Sequence, residues 1–136
     1  KSALKKLDKI LFFDEIDPDE IPSLLKMCHV GLISLDLRHK SHNIPGKFLT
    51  YLQAGLPVLA KINPGTDLQN IIEKEKVGIV FNYDTVKNFS MLAQKIIDDE
   101  KNYKIMSDLG RSLYHKMFST NKITNKIISS LSDYIK

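Results

Sequence analysis

Val30-Gly31-Leu32-Ile33-Ser34-Leu35, then Pro45-Gly46-Lys47-Phe48-Leu49-Thr50-Tyr51-Leu52-Gln53-Ala54-Gly55, then Pro57-Val58-Leu59-Ala60 decide the fold. The first run is apolar on both faces except at Ser34, as a strand buried between two helix layers would be. The second opens on a proline and stops at a glycine, the ends a helix favours. The third is a very short strand. A helix between two strands makes the connection a crossover, so the strands run parallel and the unit is right-handed.

The pattern continues on both sides. Upstream, Ile10-Leu11-Phe12-Phe13 is a strand candidate closed by the acidic turn Asp14–Asp19. Ile21, Leu24, Leu25 and Cys28 then recur at helical spacing, with Asp17-Pro18 supplying an N-cap and a first-turn proline. Downstream, Leu68, Ile71 and Ile72 mark a helix and Gly78–Phe81 a fourth strand. After residue 84 the pattern is wholly helical, in three stripes: Val86 to Ile97, Met106 to Met117, and Ile123 to Ile135. The class is α/β, a parallel sheet flanked by helices with extra C-terminal helices. Ligands of such sheets bind outside the carboxyl ends of the strands, here the loops starting near Asp14, Leu35, Lys61 and Asn82.

Composition narrows the class of protein. At 136 residues, with 43% hydrophobic and 26% charged, the chain has room for one core and is not intrinsically disordered. No apolar run approaches the roughly 18 residues needed to cross a bilayer. A formal charge of +4 tolerates an anionic partner without demanding one. The single cysteine excludes an intrachain disulfide and fits a reducing compartment. Lys1–Lys6 is not followed by an apolar core, so it is not a secretory signal, and the chain reads as a piece of something longer.

The candidate chemistry lies in the loop-to-helix segment. Pro45 presets φ, Gly46 lets a ligand come close to the backbone, and Lys47 stands in the first helical turn. Free N–H groups at a helix start beside a lysine make an anion site, worth about 0.3–1 kcal/mol exposed and up to ~2 partly buried. On physics alone the segment is equally an ordinary helix start with a solvated lysine.

The same residues carry a resemblance. Pro45-x-Lys47-x₃-Tyr51-x₃-Gly55-x-Pro57-Val58-Leu59-Ala60 is similar to the donor-site segment of GT-B glycosyltransferases of the retaining family 4. Cys28-His29-Val30-Gly31-Leu32 looks like the family's Ala-Asp-Val-Gly-Leu. Ile71–Phe81 resembles the stretch ending Gly-x-Gly-Val-Val, and Met117-Phe118-Ser119 the Phe-Ser that opens its last helix. The likeness runs from about residue 10 to residue 134.

The resemblance implies that residues 1–136 are part of the C-terminal, Rossmann-like half of a GT-B fold. That half binds the nucleotide-sugar; its opening strands and the N-terminal acceptor-binding half would precede Lys1. It implies transfer of a hexose or hexosamine, from a UDP-sugar, with retention and without a metal or other cofactor. The acceptor would be a bacterial surface glycan or lipid-linked precursor, as in O-antigen, lipopolysaccharide or capsule biosynthesis. The setting would be the cytoplasm, with the whole enzyme peripheral at the inner face of the cytoplasmic membrane. The 136 residues alone would then transfer no sugar. The last helix, Ile123–Ile135, would return to the N-terminal half, leaving apolar surface unused within the chain.

Carried over residue by residue, the donor would meet His42, Asn43, Ile44, Pro45, Gly46, Lys47, Thr50 and Tyr51, and the base would dock near Glu15 and Ile16. No residue is assigned to the chemical step itself. Thr50 stands where the family has the glutamate that holds the ribose hydroxyls, His42 where it often has a first glutamate, and Asp14 where it often has a glycine. A hydroxyl makes one hydrogen bond where a carboxylate grips twice. The competing class is a non-catalytic Rossmann-like module for a nucleotide or a protein. A receiver-like domain would leave Pro45-Gly46-Lys47 unexplained.

The other polar residues read as structural. His29 is expected between a helix and a buried strand, and Cys28 as a core thiol. His39 and His42 lack carboxylate or cysteine partners at metal-ligand spacing. The acids of 14–20 read as a solvated turn, and the C-terminal lysines form no nucleic-acid stripe.

Overall fold

The computed structural model describes residues 10–36, 38, 44–81 and 86–134. Helix α1 (Ile21–Leu25) precedes strand β1 (Gly31–Ser34), then come α2 (Gly46–Ala54), β2 (Val58–Lys61), α3 (Asp67–Glu75) and β3 (Gly78–Phe81). The helical tail is α4 (Val86–Asp98), α5 (Glu100–Leu113), a π-turn (Tyr114–Phe118) and α6 (Thr120–Tyr134). The strands form a parallel sheet in the order β1-β2-β3, with Gly31 opposite Val58 and Val58 opposite Gly78. The chain is an α/β protein with a three-stranded parallel sheet flanked by helices.

Strand alternation sorts the core into two layers. Ile33, Val58 and Ala60 pack with Phe48 and Leu52 of α2 and Leu68 and Ile72 of α3. Sequential strand order with right-handed crossovers places both connecting helices on this one face. Leu59 and Phe81 point the other way and pack with Ile96 of α4, joined by Phe89, Leu92 and Ala93. Helix α5 serves both layers, with Leu113 in the first and Tyr103 and Met106 against the second. No helix among the described residues is long and apolar enough to cross a membrane.

Ile10–Phe13 forms no strand in this structure, contrary to its composition; the four residues are exposed. A strand needs an edge to pair with; the sheet ends at β1 on one side and β3 on the other, and Ile10–Phe13 pairs with neither. Gly31 and Leu35 donate inward, to Pro57 and Lys61, so Leu32 faces outward. Its carbonyl accepts from the Tyr51 hydroxyl (3.3 Å). Helix α1 is also shorter than its spacing suggests. Asp17 caps a turn through the amide of Asp19 (2.9 Å), and the helix itself begins with Pro22 near its start and stops after Leu25. Cys28 and His29 therefore lie beyond it and are exposed, which corrects the core placements expected for both.

The far end of α2 is held by a long-range contact. Gly55 takes a left-handed conformation (φ 74°), and a Cβ there would run into the Arg111 guanidinium. Arg111 Nη2 donates to the Ala54 carbonyl (3.3 Å) and Nη1 to Ser107 Oγ (2.9 Å). The cation thus caps the negative end of α2 from α5. Arg111→Ala should cost about 1 kcal/mol, the scale of one such bond and its dipole contribution. A thermal melt would show a drop of about 3–5 °C, and an unchanged midpoint would mean the clamp is idle.

Candidate functional site

Helices α2 and α3 follow the carboxyl ends of β1 and β2, and they start differently. At α3, Thr66 Oγ1 accepts from the Gln69 amide (3.3 Å) while Gln69 Oε1 accepts from the Gly65 amide (2.8 Å). That reciprocal cap satisfies the helix with its own side chains. At α2 the N-cap is Pro45 (φ −62°, ψ 137°), which has no side-chain group to offer. The first turn holds no acid, and Lys47 is exposed on it. A Cβ built on Gly46 meets nothing within 4 Å. Among the described residues nothing caps the start of α2, which is backbone made positive by the helix dipole and by Lys47.

The α2 start is aimed by apolar anchors on either side of it. Ile44 is half-buried against the first core layer, and Phe48 is fully buried in it. Phe48 also donates its amide to the Pro45 carbonyl (2.9 Å), which closes the first turn. Between these anchors only Pro45, Gly46 and Lys47 are left to meet a ligand.

The remaining expected residues are placed as follows. His42 and Asn43 lie outside the described residues. Thr50 is half-buried and donates through Oγ1 to the Gly46 carbonyl one turn back (3.3 Å). Its side of α2 faces a cleft of about 280 Å³ shared with Leu25, Lys26, Gln53 and Arg111. Tyr51 lies across Gly31, where any Cβ would overlap its ring, and its hydroxyl bonds the Leu32 carbonyl. Burial, and after it the neighbouring Cys28, push the Tyr51 phenol above its ordinary pKa. Glu15 is exposed and Ile16 half-buried in the segment before α1, and no hydrogen bond or ion pair among the described residues joins them to α2.

The structure adds a pair that the sequence reading did not single out. Asp36 and Arg38, just past the carboxyl end of β1, form a two-pronged ion pair, with Nη2–Oδ2 at 2.7 Å and Nε–Oδ1 at 3.0 Å. The Arg38 amide also donates to Asp36 Oδ1 (2.8 Å), and the carboxylate raises the guanidinium pKa above its usual value. The signal was an acid and an arginine two residues apart where a strand ends. Both are exposed, so the pair's weight is in shape and charge at the rim. No three metal-ligating side chains cluster among the described residues.

The chain is an α/β protein in which a helix without a side-chain cap starts at the carboxyl edge of a parallel sheet. Comparison with protein-family models, curated proteins and solved structures finds no match.

Proposed function

We propose that this chain is the nucleotide-sugar-binding part of a retaining GT-B glycosyltransferase, built on a Rossmann-like sheet. The observation that carries the reading is the open start of α2, where Pro45-Gly46 backbone and Lys47 stand at the carboxyl edge while neighbouring α3 is closed by its own cap. Such a start accepts an anion, and the anion proposed here is a nucleoside diphosphate. As the glycosidic bond breaks, negative charge grows on the leaving diphosphate, and preorganised N–H dipoles with a lysine stabilise it there. The substrate class proposed is a UDP-sugar, and the acceptor a surface glycan or lipid-linked precursor. The acceptor would be held by a separate N-terminal half, with the enzyme working peripherally at the inner face of the cytoplasmic membrane.

One observation favours the second reading, a nucleotide-binding module without chemistry. The hydroxyl protons of Thr50 and Tyr51 are both given to backbone carbonyls, of Gly46 and Leu32, so neither is left to donate to ribose. Addition of UDP to the labelled chain tests both readings at once. The amide resonances of Gly46 and Lys47 should shift most, and phosphate alone should reproduce most of that shift. Shifts confined to other elements would remove the donor-site reading. Binding here, with no sugar transfer by the complete protein, would establish the module.

A further inference from the structure

We draw no further inference here: the strongest candidate, the exposed apolar stripe of Ile123, Ile127, Ile128 and Leu131 along α6, is the surface that the N-terminal half proposed above would cover, and nothing in the structure shows what else covers it.

Discussion

Gly78→Ala is expected to lower stability by about 3 kcal/mol or more, and the thermal midpoint by about 10 °C or more. Gly78 opens edge strand β3 and pairs with Val58 of the central strand, and a methyl group on it would overlap the Val58 carbonyl and crowd the Val58 amide nitrogen (2.8 Å). Those are backbone atoms, so no side-chain rotation relieves the clash. Either β3 shifts or its hydrogen bonds to β2 stretch, and a register slip would turn the inward set of Val80 and the Phe81 layer to the wrong faces. Gly46→Ala is the control. Its added methyl meets nothing, and alanine suits a helix start at ordinary φ better than glycine does, so the midpoint should stay or rise slightly. Equal midpoints for the two variants would mean that β3 is not clamped to β2 as described.

Much of this fold is legible in the sequence. Leu59 between Val58 and Ala60 is apolar on both sides, and a strand covered on both faces is what those residues form. Pro45 and Gly55 bound α2 to within one residue. The exception is Ile10–Phe13, where composition argues for a strand and the segment pairs with neither edge of the sheet. Local sequence encodes the propensity to pair, and pairing is a property of two strands. Cys28 failed for a related reason: helical spacing identifies a face only while the helix lasts, and α1 ends at Leu25.

The site divides along the same line. Pro45, Gly46 and Lys47 were readable because the feature is local, a helix start without a cap. Thr50 and Tyr51 were not, because what each hydroxyl does depends on a neighbour brought in by folding. Periodicity places Thr50 one turn beyond Gly46, within reach of its carbonyl, yet it cannot say whether the hydroxyl turns back or outward. Tyr51 reaches Leu32, nineteen residues away in sequence, across Gly31. Asp36 and Arg38 were overlooked because a short-range pair on a polar loop has no periodic signature.

Lys47→Ala is expected to weaken UDP binding about ten- to a hundredfold. The substitution removes a cation from a charge-assisted contact worth roughly 1.5–3 kcal/mol, and each 1.4 kcal/mol is about one decade in Kd. Thr50→Ala should change affinity by less than about threefold, since its hydroxyl proton is already given to the Gly46 carbonyl. Gly46→Ala should leave folding intact and still weaken binding, because a helical Cβ tilts toward the N-terminus, where the diphosphate would sit. Calorimetric titration at low and high salt separates the three. The Lys47 effect should shrink as the Debye length falls from about 10 Å at 0.1 M to about 3 Å at 1 M, and the steric effect of Gly46→Ala should not. Melting curves run beside the titrations keep folding and binding apart, as Lys47 and Gly46 are both exposed and outside the core. If all three variants bind UDP as the parent does, the start of α2 does not face the diphosphate. The positive end of this helix would then serve some other anion, and the reading as a donor-binding domain would fall with it.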